Sequence, residues 1–146
     1  MATKTLKKKK CYTVVEANAR LPLLRSILRN VTELAQDLKI LHERVILLQS
    51  DGVSDPEHDR DLARLNAELA RGERTMAGYE KELAQLGAQL KDSFIGLVDF
   101  PCWMDDREVC LCWKLGEAEV AHWHETEAGF GGRRPLRSTS PARGNA

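Results

Sequence analysis

Aromatic side chains make up only 5% of this 146-residue chain, while 30% of its residues are charged. That balance argues against a compact sandwich and suits long amphipathic helices. No window holds the roughly 18 consecutive apolar residues that a membrane-crossing helix needs. The basic start runs into CYTVVEANAR, which carries charge where the apolar core of a secretory signal would lie. A cytoplasmic protein is therefore expected, with Cys11, Cys102, Cys110 and Cys112 as reduced thiols. The chain has no G-x-S-x-G, no H-E-x-x-H, no dinucleotide fingerprint and no P-loop, so no reaction class is announced by motif. Net charge is also lacking, at zero, but its distribution is uneven. Lys4 and Lys7 to Lys10 make the first eleven residues basic, and Arg133, Arg134, Arg137 and Arg143 do the same for the end. Such tails read as solvated arms, with nucleic-acid association as the sharper alternative.

What the chain does have is helical periodicity. Thr13-Val14-Val15-Glu16 is a capping box and predicts a helix start, with Pro22 marking a kink or break two turns later. From Ile27 the apolar positions run 27, 31, 34, 38, 41, 45 and 48, a coiled-coil-like seam. Gly52 suits a left-handed cap, and Asp55-Pro56 restarts a helix. The second seam runs 62, 65, 69, 72, 76, 79, 83, 86 and 90, interrupted only by Gly72, which either permits close approach or weakens the helix. A short linker makes the two helices antiparallel. Leu28, Ala35, Ile46 and Leu47 fall off the first seam, and Ala63, Ala70, Ala77 and Ala84 form a small-residue row. Together they suggest a second hairpin or a helical protein partner.

Three strand-like runs follow, Leu97–Trp103, Glu108–Lys114 and Glu119–His124, separated by Asp105-Asp106 and Gly116-Glu117. The expected fold is α+β: a long antiparallel helical hairpin over 13–92 and a three-stranded antiparallel β-meander over 94–125. A Gly/Arg loop over 128–136 completes a single domain at 12–136, flanked by disordered segments at 1–11 and 137–146.

The last third holds the candidate chemistry. Cys102, Cys110, Cys112, His122 and His124 are zinc-ligand types within a short span, though without C-x-x-C spacing. If both hairpin loops have two residues, Phe100 faces Leu111, Leu111 faces His122, and Val109 faces His124. Pro101 then falls on an outer strand. This register puts Cys110 and Cys112 on the face opposite His122 and His124 and disfavours a metal centre, so no metal or cofactor is expected. An odd-length second loop would bring the two pairs together. The same register sets Glu108 opposite Glu125 and Lys114 opposite Glu119. Gly129-Phe130-Gly131-Gly132-Arg133-Arg134 could wrap backbone N–H groups around an anion.

At YTVVEANARLPLL (12–24), GLVDFP (96–101), LCWKLGE (111–117), WHE (123–125) and GFGGRRPL (129–136), the chain resembles an uncharacterised bacterial family, domain-of-unknown-function family 2203. The resemblance covers roughly residues 12–136. It implies a prokaryotic cytosolic protein and no particular activity, cofactor or catalytic residue. It draws attention to Asp99, Trp113, Glu117, His124, Glu125 and Arg133, whereas Cys110 and His122 stand where the family more often has aromatics. The leading expectation is a non-enzymatic interaction or assembly module that acts through its hairpin, as a homodimer or with a helical protein partner; the alternative is a small-anion binder or enzyme built on Trp113, Glu117, His124, Glu125 and Arg133.

Overall fold

The capping box at Thr13 forms as read. Its hydroxyl accepts from the Glu16 N–H at 3.1 Å, and the Glu16 carboxylate accepts from the Thr13 N–H at 3.0 Å. In the computed structural model, which describes residues 10–52 and 55–136, this box opens α1 (Val14–Ala19). The chain breaks at Arg20, and α2 (Leu21–Ser50) starts with Pro22 in its first turn, where the missing N–H costs nothing. Gly52 takes φ +69° just past the end of α2. Asp55 caps α3 (Pro56–Gln85) by accepting from the His58 N–H at 2.8 Å.

The helices α2 and α3 form the expected hairpin. Ile27, Val31 and Val45 on one side and Leu65, Leu69 and Leu83 on the other are buried, while Leu34, Leu38, Leu41 and Met76 are half-buried. Gly72 belongs to the seam because a Cβ there would run into the Leu38 side chain. Close approach, not helix weakening, explains the glycine. Leu28 and Ala35, expected to face a partner, are buried within their own chain.

The second seam was expected to stay helical through Leu90, but α3 ends five residues earlier. Gly87 at φ +89° closes it, with the Ala88 N–H donating to Leu83 O at 2.9 Å and the Gly87 N–H to Ala84 O at 3.0 Å. This pair of bonds is a Schellman cap. Leu86 and Leu90 still pack against the core, so the apolar spacing runs on while the backbone changes form. Gln89–Asp92 becomes β1, which pairs with β2 (Leu97–Met104). Then come β3 (Arg107–Lys114), β4 (His122–Glu125), a 3₁₀ turn at Phe130–Gly132 and β5 (Arg134–Pro135). The sheet is an antiparallel meander of five strands, not three, in the order β1-β2-β3-β4-β5.

The β2–β3 register is the expected one: Val98 faces Trp113, Phe100 faces Leu111 and Cys102 faces Val109. Asp105 and Asp106 form the two-residue loop, both at positive φ (52° and 63°), as a type I′ turn requires. Since β1 flanks it, β2 is an inner strand and Pro101 is not on an outer one as expected. Pro101 is tolerated because β1 reaches only as far as Asp99. Its carbonyl instead accepts from the Tyr12 N–H at 2.7 Å.

Ala17, Leu21, Leu24, Leu28 and Val31 from α1 and α2 share one core with Val98, Phe100, Val109, Leu111 and Trp113 from the sheet. Two polar ties fix the helices over it. Arg25 donates to Ala118 O at 2.8 Å, and the Asn18 side chain accepts from the Val120 N–H at 2.7 Å. Tyr12 packs edge-on to Phe100 with ring centroids 5.6 Å apart.

Two substitutions test this framework. A Cβ at Gly87 would collide with the Tyr12 ring at a backbone angle that disfavours side chains, so Gly87→Ala should cost about 3 kcal/mol. Asp106→Gly should stabilise by about 1 kcal/mol, because glycine adopts φ 63° without steric cost. Urea unfolding of both variants measures the two effects, and an unstable Asp106→Gly would contradict the turn.

Candidate functional site

Strand β3 is covered on both faces. Val109, Leu111 and Trp113 point to the helices, so alternation sends Cys110 and Cys112 to the opposite face. The partner strand decides what they meet. Cys112 pairs with His122 and Cys110 with His124, whereas Leu111 faces Trp123 and Val109 faces Glu125. The expected β3–β4 register is therefore off by one residue, and both histidines share a face with both cysteines.

The cause lies in the connection. Residues 115–121 between β3 and β4 are an odd-length loop, not a two-residue turn. The Trp113 indole N–H donates to Glu117 O at 3.2 Å, and Asn18 captures the Val120 N–H, drawing buried Val120 into the core. Expected strand residues 119–121 are used up in this loop. The expected pairings of Lys114 with Glu119 and of Glu108 with Glu125 therefore do not form, and Glu125 faces Val109.

One donor comes from each of three adjacent strands on the polar face. Asp99 on β2 is the direct partner of Cys112 on β3, and His124 on β4 lies diagonal to both. Their ligand-type atoms lie within 4.8 Å of one another. All three residues are buried, with Asp99 3% and His124 2% exposed. His124 Nδ1 lies 2.7 Å from Glu125 O, and Nε2 lies 3.0 Å from Asp99 Oδ2. A carbonyl only accepts, so Nδ1 carries the hydrogen. The Nε2 lone pair of a neutral ring would then meet a carboxylate oxygen, and a proton or a cation must lie between them. Asp99 Oδ1 has no hydrogen-bond partner among the described residues. Burial pushes the neighbouring Cys112 thiol up to about 11, reinforced by the Asp99 charge and opposed by Arg133.

A second cluster adjoins the first. Arg133 grips Glu117 bidentately, Nη1 to Oε2 at 2.9 Å and Nη2 to Oε1 at 2.8 Å, and Nη2 also donates to Cys112 O at 3.3 Å. The guanidinium lies 4.9 Å from the Phe130 ring centroid. Glu117 Oε1 accepts from the Lys114 N–H at 2.9 Å, and His122 Nδ1 stands 4.0 Å from Oε2. Burial alone would raise the Glu117 carboxyl, but Arg133, the Lys114 N–H and His122 outweigh it and hold it below its ordinary value.

The residues singled out from sequence thus divide. His124 sits with Asp99, Glu117 with Arg133, and Trp113 is buried on the helix-facing side. Glu125 pairs with Arg107, whose Nε donates to Oε1 at 3.1 Å. Asp99 was placed on the cysteine face by the β2–β3 register, but its histidine partner depended on the odd loop. The basic residues 1–9 and 137–146, with the arm and tail expected there, lie outside the described residues.

The chain belongs to the uncharacterised conserved protein family DUF2203, which it matches over residues 10–136. No curated protein and no solved structure matches it.

The lowered Glu117 carboxyl has a definite sign in folding. Its contribution is complete above the unfolded-state value and is lost as pH falls through the lower folded-state value. The stability gap between the wild type and Glu117→Gln should therefore be widest near neutrality and shrink below about pH 4.5. Urea titrations across that range read it directly, and a gap independent of pH would rule out the charged clamp.

Proposed function

We propose that this protein is a non-enzymatic, cytoplasmic assembly module whose helical hairpin pairs with a second copy of the chain. The observation that carries this reading is the uncovered apolar face along the outer half of α2. A groove of about 340 Å³ is lined by Ala35, Leu38, His42, Met76 and Phe94, among others. Ile46 lies one helical turn beyond His42 on the same face and is 61% exposed; Phe94 is 48% exposed. Leu34, Leu38, Leu41 and Met76 remain half-buried because two helices cover only one side of each seam. A second hairpin related by two-fold symmetry would complete a four-helix core. Among the described residues, no helix is long and apolar enough to cross a membrane.

The alternative is a small-anion site or enzyme around His124, Glu125 and Arg133. Each of these three side chains is engaged by a different partner, Asp99, Arg107 and Glu117 respectively. Nucleic-acid association through the basic termini rests on residues outside those described, apart from Lys10, Arg133 and Arg134.

Light scattering at micromolar concentration should give about twice the 16.4 kDa chain mass. Ile46→Glu combined with Phe94→Glu should return a folded monomer, since both side chains are exposed. A wild-type monomer throughout the concentration range, or a dimer indifferent to both changes, would refute the hairpin interface.

A further inference from the structure

We propose that Asp99, Cys112 and His124 form a binding site for one transition-metal dication of the zinc class, held between β2, β3 and β4 of this chain. The proposal is independent of the hairpin interface. Its donors are an oxygen, a sulfur and a nitrogen, the set that zinc accepts in mixed sites. They come from three adjacent strands of one sheet, so the backbone ladder sets their spacing. Around a tetrahedral ion with ordinary zinc bond lengths, such donors stand about 3.3–3.7 Å apart. They already lie within 4.8 Å, so closing on an ion requires side-chain adjustment and no change of strand register.

Three further features point to a cation. His124 Nδ1 is tied to the Glu125 carbonyl at 2.7 Å, which fixes the tautomer and aims the Nε2 lone pair into the cluster. That is how metal-bound imidazoles are commonly oriented. Asp99 Oδ1 is buried without a hydrogen-bond partner, a costly arrangement that a coordinated ion would relieve. Charge also balances: a carboxylate, a thiolate and a neutral imidazole offset a dication, while Arg133 is already neutralised by Glu117. Binding would displace the Cys112 thiol proton to solvent, leaving the thiolate as ligand. Three protein ligands leave the fourth tetrahedral position to water or another small donor. The competing arrangement keeps a proton between His124 and Asp99 and binds no metal.

The test uses the full-length chain, chelator-stripped under reducing conditions and titrated with zinc or cobalt(II) chloride. Zinc should bind at one equivalent, and cobalt should give a thiolate-to-metal charge-transfer band. Cys112→Ser should abolish that band, and Asp99→Asn should weaken binding about tenfold or more; Cys110→Ser should retain the band. Folding of each variant is checked by circular dichroism. Should Cys112→Ser not fold, long-range ¹H–¹⁵N spectra of the wild type decide the matter. Zinc should move the His124 Nε2 resonance to a metal-bound position while Nδ1 stays protonated. A folded wild type that gives no charge-transfer band, a band that persists in Cys112→Ser, or an unchanged His124 spectrum overturns the proposal in favour of the protonated pair.

Discussion

Strand β3 is the member of the sheet that must be buried on both sides, and the rest of the structure is arranged around that requirement. On its helix-facing side Val109, Leu111 and Trp113 are fully buried in the core formed with α1 and α2. Its even-numbered neighbour Cys112 is equally buried, but on a face that also carries Asp99 and His124. Large apolar groups close the first side by hydrophobic burial, worth about 1.5–3 kcal/mol for each full-sized side chain. The second side is closed by polar groups that must satisfy one another. There the cost of error is higher: stranding one member of a buried charged pair costs about 3–5 kcal/mol.

That requirement links the two polar clusters. Arg133 donates both to Glu117 and to the Cys112 carbonyl, so the returning segment near β5 is pinned against the back of β3. Glu117 is placed by the same loop that sets the register of β4, through its own acceptance from the Lys114 N–H and the bond from the Trp113 indole to its carbonyl. A change in that loop would therefore act on both clusters. It would move His122 and His124 relative to the cysteines and also shift the carboxylate that neutralises Arg133.

The hairpin obeys a different economy. Near the sheet, α2 is covered on two sides, and Leu21, Leu24, Leu28 and Val31 are buried. Farther out only α3 remains beside it, and seam residues such as Leu38 and Leu41 stay half-exposed. Gly72 draws the helices together at Leu38, which improves the contact locally but leaves the outer faces uncovered.

Much of this was legible in the chain alone. Thr13-x-x-Glu16, Pro22 and Asp55-Pro56 mark helix ends through bonds made within four residues, and the helix periodicity follows from one face being apolar. The two-residue turn at Asp105-Asp106 set the β2–β3 pairing for the same reason: the determinant is local. The end of α3 was also written locally, in Gly87, but Leu86 and Leu90 continued the apolar spacing and masked it. The placement of His122 and His124 was not legible. It depends on Asn18, 102 residues away, holding the Val120 N–H, and on Trp113 reaching Glu117, which together make the loop odd in length. Alternation within a strand is a property of its sequence. Which strand face meets which neighbour is settled by contacts between distant segments, and only the tertiary structure brought Asp99, Cys112 and His124 together.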